Sequence, residues 1–266
     1  MEKTLGCLGC GNMGSAILRG LSGTPGLSLR CFDTDKTKLA SLCTGCEVES
    51  ASSVHDLAEG VDYLLVAIKP HQMHRALADL ASRLSPSQVI LSIAAGVGLD
   101  KLKRWCSGAC PVVRVMPNTP AMVQAGMFAV CLDDPDLKDS QKEFVTRTFE
   151  RLGRVFILDE SRFDSFTALA GSGPAYVFYL MEAMVEAGVT MGFPRPQATD
   201  MVRCLFSGSA KLAQERPEHL SVLREMVTSP GGTTIAATNV LDRKAVRAAL
   251  VDAVVAAETR SKELGG

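Results

Sequence analysis

The sequence predicts an α/β domain with a mainly parallel sheet, followed by an all-helical domain. Short β-rich runs alternate with helical stretches through the first part of the chain. Several of these runs, such as Asp62–Ile68, are almost entirely apolar, which is typical of strands buried on both faces of a parallel sheet. Beyond about Asp159 no strand-like run follows, and apolar residues recur at helical spacing. We therefore place an α/β domain at residues 1–160 and a helical domain at residues 161–266.

The elements of the first domain alternate along the chain. Alternation of this kind requires right-handed crossover connections and leads to an open sheet that helices cover on both faces. In chain order, we predict a strand at Thr4–Leu8, a helix at Asn12–Leu21, a strand at Leu27–Phe32, a helix at Lys36–Leu42, strands at Asp62–Ile68, Val89–Ala94, Val112–Met116 and Phe128–Leu132, an amphipathic helix at Leu137–Leu152 and a strand at Val155–Leu158.

The second domain is predicted as a series of helices that glycine and proline punctuate. Gly192, Pro194 and the block Ser229–Gly232 mark the breaks. A helical array of roughly 100 residues has a small core, so we expect it to pair with a second copy of the chain. The predicted helices are Ala175–Gly188, Pro196–Gln214, Leu220–Val227 and Lys244–Leu264.

The composition argues against several classes of protein. The 28 Lys and Arg residues against 29 Asp and Glu leave a net charge of −1, whereas binders of nucleic acid or anionic membranes carry a basic excess. No apolar run is long enough to span a bilayer, and the glycine-rich loop at Gly9 leaves no room for a signal peptide. The nine cysteines lack the spacing of zinc ligands, so we expect reduced thiols, a cytoplasmic protein and no metal site.

A glycine-rich motif directly follows the first predicted strand and opens the first helix. Its residues are Gly9, Cys10, Gly11, Asn12, Met13 and Gly14, in the form G-x-G-x-x-G. Gly9 permits the tight turn, Gly11 lets the backbone approach a pyrophosphate, and Gly14 lets the helix pack on the strand. The helix N-terminus offers unpaired N–H groups to an anion. This context indicates a Rossmann-like dinucleotide-binding domain, and the alternative is a structural turn.

An acidic residue at the end of the second predicted strand completes the dinucleotide pattern. Asp33 would accept hydrogen bonds from the ribose hydroxyls and repel a 2′-phosphate. The alternative is that Asp33 or Asp35 caps the next helix. Because Lys36 and Lys38 could compensate the negative charge, both NADH and NADPH stay open.

Two more segments follow predicted strands at the carboxyl edge of the sheet, where open α/β folds bind their ligands. These are Ala67–Pro70 and Ile93–Gly96. Small residues at 94–96 would let a flat ring lie against the backbone. The alternative is that Pro70 and Gly96 only terminate strands.

Read together, the motifs resemble those of the pyrroline-5-carboxylate reductases. They occur in the order found in that family and cover the chain nearly end to end. The block Ser229–Ile235 is the most specific of them, and Gly171–Tyr176 by itself indicates a closely packed helix start. The matching segments are Gly9–Gly14, Ala67–Pro70, Ser92–Val97, Arg114–Pro120, Gly171–Tyr176 and Ser229–Ile235.

The resemblance implies NAD(P)H-dependent reduction of L-1-pyrroline-5-carboxylate to L-proline, the last step of proline biosynthesis. It also implies a helical domain through which two subunits intertwine, with dimers that assemble further into decamers. Asp33 departs from the small hydroxyl residue frequent in the family at this position, which leaves the usual NADPH preference open. By resemblance, NADPH or NADH would be lined by the loop Gly9–Gly14 together with Thr34, Ser50, Ala67, Ile68, Lys69, Pro70, Ala94 and Ala95.

The resemblance also places the substrate at Ser229, Gly231, Gly232, Thr233 and Thr234. Such a site suits the chemistry, because glycines expose N–H groups and a helix beginning near Thr233 would aim its positive end at a carboxylate. The Thr234 hydroxyl could donate a hydrogen bond to the imine nitrogen. Threonine is a weak acid, so we expect it to orient the substrate. The alternative is an interhelical turn with a threonine cap.

Two other functions fit parts of the pattern. A β-hydroxyacid dehydrogenase would resemble a family that needs a lysine shortly after Gly171–Gly173, and none occurs before Lys211. A sensor of NAD(P)H would bind the cofactor without turnover, and the intact Ser229–Thr234 block argues against it. The histidines form no catalytic set, and we expect His71 in a solvent-facing turn.

Overall fold

The computed structural model describes residues 2–265, which form two compact units. The first unit runs to Ser172 and includes the end of the last helix from Ala257, and the second is Gly173–Ala256. The first unit extends beyond the predicted division at residue 160 because the segment that follows packs on the sheet. Phe163 is completely buried there in a small apolar cluster with Ala129 and Cys131.

One eight-stranded sheet forms the centre of the first unit, in the order β3-β2-β1-β4-β5-β6-β7-β8. Neighbouring strands pair in parallel except β6 and β7, which are antiparallel. The predicted open, mainly parallel sheet is thus confirmed. The strands are β1 Lys3–Leu8, β2 Leu27–Phe32, β3 Glu49–Ser50, β4 Tyr63–Val66, β5 Val89–Ser92, β6 Val112–Pro117, β7 Gly126–Cys131 and β8 Gly153–Ile157.

Helices cover both faces of this sheet. On one face Leu18 and Phe149 join the core cluster, and on the other face Met73 and Leu102 join a second cluster. The helices are α1 Asn12–Leu21, α2 Lys36–Gly45, α3 Val54–Glu59, α4 Pro70–Leu80, α5 Leu99–Trp105, α6 Asp139–Glu150 and α7 Phe163–Phe166, with 3₁₀ turns at Thr119–Val123 and Glu160–Arg162 and a π-helix at Thr167–Gly171.

Two side-chain hydrogen bonds attach the end of the chain to the segment that follows β8. The Ser261 hydroxyl donates to Asp164 Oδ1 at 2.6 Å, and the Ser165 hydroxyl donates to Glu258 Oε1 at 2.5 Å. The hydrogen bond from Ser165, with Lys262 nearby, lowers the pKa of Glu258. The last turns of the chain therefore belong structurally to the first unit.

The second unit is entirely helical, as predicted. Gly188 lets two of its helices approach closely, because a Cβ there would lie 2.9 Å from Ala198 Cβ. Many large apolar side chains stay exposed, among them Phe178 at 63% and Tyr179 at 74%. Across residues 2–265, no helix has the length and apolarity needed to span a membrane. The helices are α8 Gly173–Thr190, α9 Arg195–Glu215, α10 Leu220–Met226, α11 Thr233–Arg243 and α12 Val246–Gly265, the last of which ends in the first unit.

Candidate active site

A groove of about 1320 Å³ lies at the carboxyl ends of the central strands. β1 and β4 are neighbours, but the chain continues from β1 to β2 toward one edge of the sheet and from β4 to β5 toward the other edge. Open α/β folds bind their ligands at such a position. Most of the predicted cofactor residues line the groove. They are Gly9, Gly11, Asn12, Met13, Asp33, Thr34, Ala67, Ile68, Lys69, Pro70, Ala94 and Ala95.

Three predicted cofactor residues lie elsewhere. Cys10 is 3% exposed and joins the core, where it borders a separate cavity of about 240 Å³. Gly14 is buried behind the loop. Ser50 lies on the two-residue strand β3, beside Cys31 of β2, and does not line the groove. Contact of Ser50 with the cofactor therefore stays a prediction from the resemblance.

The geometry of the phosphate loop requires glycine at its first and last motif positions. Gly9 has φ +104°, and a Cβ there would lie 2.7 Å from the carbonyl oxygen of Ala67. A Cβ on Gly14 would lie 2.1 Å from the carbonyl oxygen of Gly9. Side chains at these positions would displace the loop from β4. Gly14 thus has the packing role predicted for it.

The loop ends in a helix start that no side chain caps. Gly11 is the N-cap of α1, and no side chain accepts a hydrogen bond from the first turn. A Cβ on Gly11 would meet no protein atom within 4 Å, so this residue borders open groove. Helix N-termini carry unpaired N–H groups and a partial positive charge. The groove therefore presents a binding site for an anion such as a pyrophosphate.

Asp33 and Asp35 have different roles. Asp33 accepts hydrogen bonds from the backbone N–H of Cys10 at 2.7 Å and of Asp35 at 2.8 Å. Asp35 is the N-cap of α2 and accepts from the N–H groups of Thr37 and Lys38, and the bond from Lys38 is the main cause of its lowered pKa. Of the two alternatives for Asp33, helix capping is excluded. The Asp33 carboxylate instead joins the end of β2 to the phosphate loop.

One face of α4 contributes lining residues that the sequence analysis missed. Gln72, Arg75, Ala76 and Asp79 border the groove, whereas Met73, Leu77 and Leu80 are buried on the opposite face. The sequence does carry a signal for the exposed face of α4. Pro70 marks a helix start, and the buried residues recur at spacings of three and four, which places the residues between them on the other face. His71 lies in the first turn of α4 and also lines the groove. His71 is exposed to solvent, as expected, and lies at the edge of the groove.

The segment Ser229–Thr234 forms a tight turn that leads into α11, within the second unit. The N–H of Gly232 donates to the carbonyl of Ser229 at 3.1 Å, and Gly231 has φ +68°. Proline followed by a residue with positive φ is the signature of a type II turn. Gly232 is the N-cap of α11 and no side chain caps the helix. The structure thus excludes a threonine cap as the explanation of this block.

This turn brings the predicted substrate residues together. Ser229, Gly231 and Gly232 form it, and Thr233 and Thr234 are the first two residues of α11. Thr234 is half-buried, and within residues 2–265 its hydroxyl has no hydrogen-bond partner. The first N–H groups of α11 likewise lack an intrahelical partner. The turn can therefore bind a carboxylate and offer a hydroxyl donor beside it.

The motif Arg114–Pro120 supports the structure around the groove. Arg114 is 7% exposed, pairs with Glu160 at 3.1 Å, and lies 4.6 Å from the ring centroid of Phe163. Asn118 is 2% exposed and donates to the carbonyl of Ala170 at 3.0 Å, while its own oxygen accepts from the N–H of Met127 at 2.8 Å. These contacts give the motif a structural role.

No cluster suited to a metal occurs among the described residues, since nowhere do three or more His, Cys, Asp or Glu side chains converge suitably.

Comparison with known proteins assigns both parts of the chain. Residues 160–264 match the family model for pyrroline-5-carboxylate reductase dimerisation, which indicates a homodimer. Residues 4–96 match the model described as NADP oxidoreductase, coenzyme F420-dependent. The chain is 38% identical to pyrroline-5-carboxylate reductase of Escherichia coli (strain K12) over 268 residues, which cover 99% of each chain.

Solved structures agree with this similarity over the full length. A pyrroline-5-carboxylate reductase from Coxiella burnetii has a TM-score of 0.90 and 31% identity, with 100% of both chains covered. A Plasmodium falciparum pyrroline carboxylate reductase with NADP bound also has a TM-score of 0.90, with 28% identity and coverage of 99% of this chain and 98% of that one.

Proposed function

Since the chain belongs to the pyrroline-5-carboxylate reductase family, we propose that it reduces L-1-pyrroline-5-carboxylate to L-proline with NADPH or NADH. The observation that carries the proposal is that the relationship spans the whole chain. It therefore includes both the groove with its glycine loop and the turn Ser229–Thr234. The overall reaction moves a hydride to the imine carbon and leaves a secondary amine.

The groove residues fit a nicotinamide dinucleotide. The bound cofactor supplies the hydride. The uncapped N–H groups at the start of α1 bind the pyrophosphate, and Gly11 leaves room for it. Asp33 would meet the adenosine ribose, and Ala94 and Ala95 would offer the nicotinamide ring a surface free of large side chains. Support for NADPH in particular is the Plasmodium falciparum relative, which was solved with NADP.

The turn Ser229–Thr234 holds the substrate. The unpaired N–H groups at the start of α11 bind the carboxylate, and Gly231 and Gly232 keep the approach to them open. The Thr234 hydroxyl donates a hydrogen bond to the ring nitrogen. If the imine arrives protonated, this bond only has to orient the ring, and orientation then supplies most of the rate.

The test of the proposed function is the oxidation of NADPH and of NADH, followed by absorbance after pyrroline-5-carboxylate is added. We expect rapid loss of the reduced cofactor and formation of proline. A folded protein that binds NADPH but oxidises neither cofactor would contradict the reductase and favour a sensor of NAD(P)H.

Thr234→Ala tests the role of the hydroxyl. We expect kcat/KM for pyrroline-5-carboxylate to fall about tenfold, because one positioning hydrogen bond is lost. The matched control is Thr238→Ala, one turn later in α11, where the hydroxyl only donates to the carbonyl of Ile235. Unchanged kcat and KM in Thr234→Ala would remove the residue from the site. A loss of 10²–10⁴-fold would instead indicate proton donation.

We further propose that the homodimers assemble into decamers and that the enzyme acts in the cytoplasm. We assign dinucleotide binding to residues 1–160, and dimerisation with substrate binding to residues 161–266. The family resemblance supports the assembly, and the match of residues 160–264 to a dimerisation model supports the division. Nine unpaired cysteines support a reducing compartment.

A further inference from the structure

Five cysteines of the first unit, one of them in the phosphate loop, belong to or pack against one apolar core. Cys7, Cys10 and Cys31 are 0–3% exposed and belong to the main core cluster. Cys43 and Cys46 are half-buried and pack against the same cluster from α2 and the residue that follows it. The chain therefore places oxidisable groups between its surface and the cofactor groove. We call these five residues the thiol cluster.

Cys31 connects the two sides of the thiol cluster. It lies opposite Cys7 in the register of β1 and β2, and its Sγ is 3.9 Å from Cys43 Sγ on α2. On the other side, the two residues that follow Cys31 hold the phosphate loop: the carbonyl of Phe32 accepts from the N–H of Gly9 at 2.9 Å, and the Asp33 carboxylate accepts from the N–H of Cys10 at 2.7 Å. A displacement of Cys31 would therefore move the residues that hold the phosphate loop in place.

We propose that Cys31 and Cys43 form a peroxide-oxidisable dithiol site, and that their disulfide weakens binding of the cofactor. Cys43 meets the oxidant because it is the half-exposed member of the pair. Its sulfur attacks one oxygen of hydrogen peroxide, the O–O bond breaks, and a sulfenic acid and one water result. The sulfur of Cys31 then attacks the Cys43 sulfur and displaces a second water. Two thiols lose two electrons and two protons, and peroxide is reduced to two waters.

The disulfide changes the support of the phosphate loop. An S–S bond is about 2.05 Å long, so the sulfurs must approach from 3.9 Å and Cys31 turns toward α2. That movement displaces Phe32 and Asp33, whose hydrogen bonds hold Gly9 and Cys10 of the loop. We expect Kd for NADPH to rise about tenfold, equivalent to one lost hydrogen bond to the pyrophosphate. This effect rests on the proposed cofactor site, whereas the disulfide itself does not.

The test uses the full chain treated with hydrogen peroxide. Non-reducing peptide mapping should identify a disulfide between Cys31 and Cys43, and fluorescence titration should give a raised Kd for NADPH that dithiothreitol restores. Cys43→Ser should keep the Kd of the untreated protein and lose the response. The control Cys204→Ser, which removes an exposed cysteine of the second unit, should still respond. Neither measurement needs turnover, so failure of the reductase assay is distinguishable from failure here.

Two results would overturn the proposal. A disulfide between Cys43 and Cys46, or none at all, would remove the dithiol site. If a disulfide between Cys31 and Cys43 forms but Kd for NADPH stays unchanged, the proposed weakening of cofactor binding is wrong.

Discussion

Asp33 combines a structural contact with a charge that faces the groove. Its carboxylate accepts hydrogen bonds from Cys10 and Asp35, so it fixes the loop that would bind the pyrophosphate. The same carboxylate lines the groove, where its negative charge opposes a 2′-phosphate. Loop geometry and choice of cofactor therefore depend on one side chain.

Asp33→Asn separates these two effects. The amide oxygen accepts only one of the two N–H groups well, so we expect kcat/KM to fall with both cofactors. Removal of the charge favours the 2′-phosphate, so the ratio of kcat/KM for NADPH to that for NADH should rise about tenfold. The control is Glu47→Gln, which also removes an exposed negative charge from the first unit but does not line the groove. An equal change of the ratio in both variants would contradict a specific role for Asp33.

The π-helix Thr167–Gly171 depends on Asn118. The N–H of Ser172 donates to the carbonyl of Thr167 at 2.8 Å. The two residues are five apart, which is the hydrogen-bond spacing of a π-helix. Asn118 donates to the carbonyl of Ala170 within this turn and accepts from Met127 at the start of β7. One buried amide therefore holds together the end of β6, the start of β7 and the π-helix.

Asn118→Ala should destabilise the first unit by about 2–4 kcal/mol, because it leaves the buried carbonyl of Ala170 and the partly buried N–H of Met127 without partners. Urea unfolding, followed by circular dichroism, measures the loss. The control is Asn239→Ala on α11, where the side chain is exposed and the change should stay within about 0.5 kcal/mol. If Asn118→Ala lowers the free energy of unfolding no more than the control does, water has replaced the hydrogen bonds of the Asn118 amide.

The elements with strong periodicity could be predicted from sequence, and short or reversed ones could not. The apolar run of β4 identifies a strand because it is buried on both faces. Glu49–Ser50 is too short to carry a pattern, so this strand was not predicted. The reversal of β7 leaves no trace in its own apolar pattern. The short connection was the signal for antiparallel pairing, because only a 3₁₀ turn separates β7 from β6 and parallel neighbours need a longer crossover.

Some features of the candidate site could likewise be predicted from the sequence, and others could not. Gly9 and Gly14 could be assigned because the backbone geometry of the loop tolerates no side chain there. The contact between Asp33 and Cys10 could not, since it joins residues 23 apart through a loop whose course the sequence does not specify. The predicted family and fold class are confirmed over the whole chain.

The whole molecule exposes apolar surface where the family model places dimerisation. Among the described residues, all large exposed apolar side chains except Met122, Val123 and Ile157 fall within residues 160–264. A concentration of large exposed apolar side chains in one segment is typical of an interface between subunits.

Phe178→Glu should weaken the homodimer, because burying a charge without a partner in an apolar interface is costly. Size-exclusion chromatography with light scattering should then find smaller species than in the unmodified protein. Ile157→Glu is the matched control, since Ile157 is 54% exposed but lies outside the matched segment. The unmodified protein should elute as a decamer. A Phe178→Glu protein of unchanged mass would place the interface on other helices.

The two hydrogen bonds from the last helix to the segment after β8 also set an order of events during synthesis. The ribosome has already released all eight strands when Asp164 and Ser165 emerge, so the sheet can form early. Their partners Ser261 and Glu258 follow 97 and 93 residues later. A nascent chain must therefore hold this segment without its final contacts until translation is nearly complete, and a message truncated before the last codons would yield a protein that never acquires them.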